Sequence, residues 1–136
     1  MSAVSGGCLC GKVRYTAEDV DPELHVCHCG MCRKWGGGPA FAATTGKVEF
    51  DGEENIGVYV SSAWAERGFC KLCGSNLFYR LKSGDYFMSM GTFDDPTPFK
   101  VVGEIYVDHQ PPGYRFAGDL SRLTEAEFLD QFGSSE

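Results

Sequence analysis

The chain has seven cysteines, and they fall into three tight groups. These are Cys8-Leu9-Cys10, Cys27-His28-Cys29-Gly30-Met31-Cys32 and Cys70-Lys71-Leu72-Cys73-Gly74. Single free cysteines are common in protein cores, but repeated close pairs are a ligand pattern. On an extended strand, side chains at i and i+2 leave the same face. Cys8 with Cys10, and Cys27 with Cys29, are therefore expected to aim two sulfurs at one ion. A C-x-x-C turn makes both sulfurs converge, and Gly74 directly after Cys73 permits a tight return; Cys29 to Cys32 repeats the spacing. Grouped thiolates suit tetrahedral zinc, with Zn–S bonds of about 2.3 Å.

The donor count carries further information. Seven sulfurs cannot close two four-cysteine sites. The most economical partition joins Cys8 and Cys10 with Cys70 and Cys73, leaving Cys27, Cys29 and Cys32 as a three-thiolate site with an open position. Closed zinc sites are structural, whereas an open position marks catalysis or ligand binding. Spacing alone also allows Cys29 and Cys32 to pair with Cys70 and Cys73.

The elements that must position these groups read as strands. Lys12–Thr16 alternates polar and apolar residues, as a half-buried strand does. Similar runs are Phe41–Thr45, Lys47–Phe50, Ile56–Val60, Leu77–Leu81, Tyr86–Met90 and Val101–Val107. Turn signals separate them at Asp51-Gly52, Ser83-Gly84-Asp85, Asp94-Asp95-Pro96 and Pro111-Pro112-Gly113. One helix is expected at the C-terminus, where Thr124 and Glu127 form a capping box. Leu123 is placed to staple onto Phe128, Leu129 and Phe132 extend an apolar face, and Gly133 ends the helix. It is read as a packing element without chemistry.

The residues flanking the cysteines resemble those of a known family. Cys8-x-Cys10-Gly11-Lys12-Val13-Arg14-Tyr15, Cys27-His28-Cys29-x-x-Cys32-Arg33-Lys34 and Gly68-Phe69-Cys70-x-x-Cys73-Gly74-Ser75-x-Leu77 resemble the glutathione-dependent formaldehyde-activating enzymes, a family that includes centromere protein V. Gly91-Thr92-Phe93-Asp94-Asp95-Pro96 and Ile105-Tyr106-Val107-Asp108-His109 resemble its later segments, so the likeness covers nearly the whole chain. The resemblance implies a mainly β fold of the Mss4-like kind, with several coiled β-sheets and here a short C-terminal helix. It implies one zinc-binding domain over residues 1–136 and two zinc ions per chain. Cys8, Cys10, Cys70 and Cys73 match its structural zinc ligands, and Cys27, Cys29 and Cys32 its catalytic ones.

The activity so implied is a carbon–sulfur lyase that takes a small-molecule thiol, with glutathione the first candidate, at the open zinc. The thiol would add to formaldehyde and give an S-hydroxymethyl adduct. Three thiolates on Zn²⁺ carry a formal charge of −1, and the metal still favours the thiolate form of a bound thiol. His28, between two presumed ligands, is expected to point away from them as a bystander or support. Arg33 and Lys34 can receive substrate carboxylates or serve as plain solvated charges. Trp35 and Gly36-Gly37-Gly38-Pro39 read as a pocket wall and close-approach loop, or as a buried aromatic and a plain turn. His25 and His109 are treated as ordinary. The competing readings are a zinc-stabilised binding module of the same fold, without catalysis, and a redox or metal-buffering role for the three clustered thiols.

Length, charge and composition set the outer limits. With 136 residues the chain is expected to form one domain. A net charge of −7 disfavours broad nucleic-acid binding, because an acidic surface repels phosphates. No apolar run approaches the roughly 18 residues of a membrane span. Met1–Gly7 has neither the basic nor the apolar region of a secretory signal. A cytoplasmic, reducing location is expected, where cysteine serves metals better than disulfides.

Overall fold

Short β-branched and aromatic runs punctuated by glycine turns produce eleven strands, in a computed structural model that describes residues 3–132. In chain order these are β1 (Val4–Gly7), β2 (Arg14–Ala17), β3 (Glu23–Cys27), β4 (Ala42–Thr45), β5 (Val48–Asp51), β6 (Ile56–Val60), β7 (Ala65–Cys70), β8 (Asn76–Leu81), β9 (Tyr86–Ser89), β10 (Lys100–Ile105) and β11 (Ser121–Leu123). Two α-helices join them, α1 (Gly30–Gly36) and α2 (Glu125–Phe132).

The strands form three sheets. β1-β2-β5 and β4-β9-β8-β7-β6 are antiparallel, and β11-β10-β3 is parallel. The expected mainly β architecture of several sheets with a short C-terminal helix is what the chain adopts. All seven sequence-predicted runs contain a strand, with ends displaced by up to two residues. β1, β3, β7, β11 and α1 were not among them.

One cluster of buried residues lies where the sheets meet. Val13, Tyr15 and Ala17 come from the β2 region, Leu24 from β3, Leu77 and Phe78 from β8, and Met88 from β9. Cys8 and Cys70 belong to the same cluster, so two of the presumed ligands are rooted in the core. The Tyr15 hydroxyl lies 2.7 Å from the Thr92 hydroxyl. Burial pushes the Tyr15 phenol above its ordinary range, beyond any physiological ionisation.

At the C-terminal end the capping box forms in both directions. The Thr124 amide donates to Glu127 Oε1 at 2.8 Å, and the Glu127 amide donates to Thr124 Oγ1 at 3.2 Å. Phe128 stacks on Tyr106 and on Phe132, with ring centroids 5.7 and 5.0 Å apart. No side chain of α2 is fully buried. The helix is thus a lightly packed appendage, and the expected stop at Gly133 lies outside the described residues.

Candidate metal centres

The first cluster gathers Cys8, Cys10, Cys70 and Cys73, whose sulfurs all lie within 4.8 Å of one another. Cys8 and Cys10 follow β1 in a turn, rather than on the extended strand expected for them. The physical reason is Gly11, whose φ of +79° lets the chain reverse and its amide return to the Cys8 carbonyl at 3.2 Å. The C-x-x-C segment between β7 and β8 makes the matching turn: Gly74 has φ +80°, and its amide donates to the Cys70 carbonyl at 2.8 Å. Backbone amides in both turns also point at sulfur. Val13 N–H donates to Cys8 Sγ, and Leu72 N–H to Cys70 Sγ, each at 3.4 Å. Hydrogen bonds from the Ser75 side chain and amide draw the Cys73 thiol down to about 5.

The second cluster gathers Cys27, Cys29 and Cys32, with the same 4.8 Å limit between sulfurs. Its backbone stays extended through Cys29, as expected, with φ −62° and ψ 158° there, and then turns into a helix. Cys27 ends β3, Cys29 is the N-cap of α1, and Cys32 lies in the helix's first turn. A short polar side chain at an N-cap accepts from the first free amides, and here Cys29 Sγ takes that place, receiving Cys32 N–H at 3.4 Å. The three thiols compete for one negative charge. Hydrogen bonding from Cys27 and Cys32 pulls Cys29 down to about 2, while the same contacts push Cys27 far up. A bound cation would remove that competition by stabilising all three as thiolates.

Both donor sets fit zinc. Four sulfurs arranged tetrahedrally at about 2.3 Å from an ion stand about 3.8 Å apart. The Cys8–Cys10, Cys10–Cys70 and Cys29–Cys32 sulfur separations are 3.5, 3.8 and 3.2 Å, and all seven cysteines are free.

The surroundings of the second cluster contain groups that the sequence alone did not single out. His28 and Glu104 on β10 are both buried. His28 Nε2 lies 2.7 Å from Glu104 Oε1, and its Nδ1 lies 2.7 Å from the Tyr114 hydroxyl. A carboxylate only accepts, so Nε2 carries the hydrogen of that bond. Both ring nitrogens are thus engaged away from the sulfurs, and His28 supports the ligand loop, as its position between two cysteines suggests. Arg122 on β11 reaches the other Glu104 oxygen at 2.8 Å. Glu104 was legible in part, as the lone charge within the apolar run Val101–Val107.

Arg33 donates from Nε to the His28 carbonyl at 3.3 Å, and with Lys34 it lies in the last turn of α1. Gly37 caps that helix with φ +84°, so the glycine run is a helix stop. Trp35 lies against Arg67 of β7, whose guanidinium carbon is 5.2 Å from the indole centroid. His25 is exposed. His109 lies 2.9 Å from Glu125 at the surface, while Asp108 receives the Glu125 amide and anchors the start of α2.

The sequence model of the family described as glutathione-dependent formaldehyde-activating enzyme matches residues 3–109. A Schizosaccharomyces pombe protein named as an uncharacterized lyase is 34% identical over 95% of this chain and 96% of its own length. A Halomonas elongata protein named as a putative glutathione-dependent formaldehyde-activating enzyme is 31% identical, over 55% of this chain and 54% of its own. Among solved structures, a Rhodobacter sphaeroides protein superposes with a TM-score of 0.59 at 26% identity, covering 68% of this chain and 92% of that one.

Proposed function

The chain belongs to the glutathione-dependent formaldehyde-activating enzyme family, and on that premise we propose that it is a zinc-dependent carbon–sulfur lyase, acting as one domain over residues 1–136. Its substrate would be a small thiol, with glutathione the first candidate, and its product an S-hydroxymethyl-type adduct. Two zinc ions per chain belong to this reading. Cys8, Cys10, Cys70 and Cys73 would hold the structural ion, and Cys27, Cys29 and Cys32 the catalytic one. The observation that carries it is the donor count: among the described residues, the second cluster has three members, and the adjacent His28 has both ring nitrogens committed elsewhere.

A bound zinc would supply positive charge that favours the thiolate form of a substrate sulfur. The residues of the chain do the remaining work. Cys29 and Cys32 are fixed by a helix N-cap, and Cys27 by the ladder between β3 and β10, so the three donors are held before any ligand arrives. In the forward direction the substrate sulfur bonds to the formaldehyde carbon and the carbonyl oxygen takes up a proton; cleavage reverses both changes. Seven free thiols suit a reducing compartment such as the cytoplasm. No described helix is long and apolar enough to cross a membrane.

The test compares wild type with Cys32→Ser. The wild type is expected to carry two zinc ions per chain, to bind glutathione in calorimetry, and to exchange formaldehyde with glutathione by NMR faster than the spontaneous reaction. Cys32→Ser is expected to keep one ion and lose the other two properties. Two zinc ions with no thiol binding by the wild type would sink the enzymatic reading and favour a zinc-stabilised binding module.

A further inference from the structure

Arg67 is a buried cation without a carboxylate partner among the described residues. It lies at the centre of β7, only 4% exposed, between the rings of Trp35 and Tyr79, whose centroids are 5.2 and 4.8 Å from its guanidinium carbon. Its chain neighbour Glu66 is committed to Arg80, and among the described residues Arg67 forms no ion pair with an acid. Its Nε is buried with no hydrogen-bond partner. The ligand cluster it does approach is the three-cysteine one: Nη2 lies 4.0 Å from Cys32 Sγ. Aromatic faces satisfy a guanidinium only in part, and an uncompensated buried charge is strongly unfavourable. A cation is tolerated in this place if the cluster beside it is negative.

We infer that Arg67 is the counter-ion of the three-cysteine site and makes its open position selective for anionic ligands. The inference rests on the zinc reading above. Three thiolates and Zn²⁺ sum to −1, so a fourth anionic ligand would bring the site to −2. With Arg67 alongside, the resting site is neutral and the occupied one carries −1, a much smaller Coulombic obstacle at low dielectric. A neutral ligand gains nothing comparable. Arg67 thus selects the class of ligand: thiolates and small soft anions over uncharged nitrogen donors. It is a positioning and specificity residue, acting through the charge of the site rather than on reacting atoms.

The experiment uses the full chain with cobalt(II) exchanged for zinc, whose visible spectrum reports ligation at the open site. Thiocyanate serves as the anionic probe and imidazole as the neutral one, for wild type, Arg67→Met and Arg67→Lys. Arg67→Met is expected to weaken thiocyanate on the order of tenfold to a hundredfold while leaving imidazole within about twofold. Arg67→Lys, which keeps the charge, is expected to retain most of the anion preference. Equal weakening of both probes in Arg67→Met would indicate a merely structural role and overturn the inference, as would no change for either. If Arg67→Met fails to fold, loss of the thiocyanate preference in Arg67→Lys overturns it. Because neither probe is glutathione, a wild type that ignores glutathione but prefers thiocyanate would refute the substrate proposal and leave the role of Arg67 standing.

Discussion

Glu104→Ala should be the most damaging single change outside the cysteines, and its cost can be worked from the contacts. Glu104 is 1% exposed, accepts a hydrogen bond from His28 Nε2 at 2.7 Å, and forms an ion pair, without hydrogen-bond geometry, with Arg122 Nε at 2.8 Å. His28 is fully buried, so removal of its acceptor strands an N–H away from water, which costs about 1–3 kcal/mol. Arg122 is 41% exposed and can rehydrate, so its share is at most about 1 kcal/mol. The lost methylene adds about 0.8 kcal/mol, giving about 2–5 kcal/mol together. The effect should also reach the metal. Glu104 and Ile105 pair with Val26 and Cys27 across the β3–β10 ladder, and His28 joins Cys27 to Cys29. Zinc affinity of the three-cysteine site should fall about 10–100-fold, with the four-cysteine site unaffected. Urea unfolding at fixed free zinc measures the first quantity, and competitive chelator titration the second. Glu49→Ala is the control: its pair with Lys47 is two-thirds exposed and should be worth under about 0.5 kcal/mol. A loss below about 1 kcal/mol for Glu104→Ala, or equal weakening of both zinc sites, would refute the reasoning.

Gly74→Ala should cost about 1–2 kcal/mol, because φ is +80° while the space for a methyl group is open, so the penalty is purely conformational; thermal unfolding checks it. Arg14 holds the Asp94 carboxyl below its usual range. A lowered folded pKa means stabilisation present above the ordinary carboxylate value and lost as pH falls through the folded one. Arg14→Met should therefore lower stability slightly at pH 7, by less as pH falls towards the folded carboxyl's range, and by less at high salt, since the pair is exposed; a difference that grows on mild acidification contradicts this. Removal of zinc by a strong chelator should unfold the chain, and acidification should do the same as protons displace the metal from its thiolates. Retention of native near-ultraviolet dichroism in zinc-free protein would count against a structural ion.

The strands and ligand groups were legible because period-two alternation and cysteine spacing are local signals. What the sequence misplaced was the backbone beneath the ligands. Same-face geometry at i and i+2 led Cys8 and Cys10 to be read as strand residues, although the positive φ of Gly11 makes a turn there. Helix α1 was missed because Gly30 and the run Gly36-Gly37-Gly38 weaken its propensity; the N-cap at Cys29 and the stop at Gly37 define it. β1, Val4–Gly7, ends in two glycines, and β11 is only three residues long, so neither shows a usable period. Arg67 and Tyr114 were out of reach for another reason: they meet the cysteine loop only through tertiary packing, 35 and 86 positions from their partners.

The two clusters differ in how much chain they close. The four-cysteine group joins a turn of the first sheet to a turn of the five-stranded sheet, with Cys10 and Cys70 sulfurs meeting across 60 residues. A metal there would clip together two sheets, and a closed shell suits that task because every donor position contributes to holding distant segments. The three-cysteine group spans only Cys27 to Cys32, within one strand-to-helix junction already fixed by the His28–Glu104 pair and the Cys29 cap. Little of the fold depends on a fourth donor in that place. An open position therefore costs the protein little stability at the second site and would cost it much at the first, which is the physical reason to assign ligand chemistry to Cys27, Cys29 and Cys32.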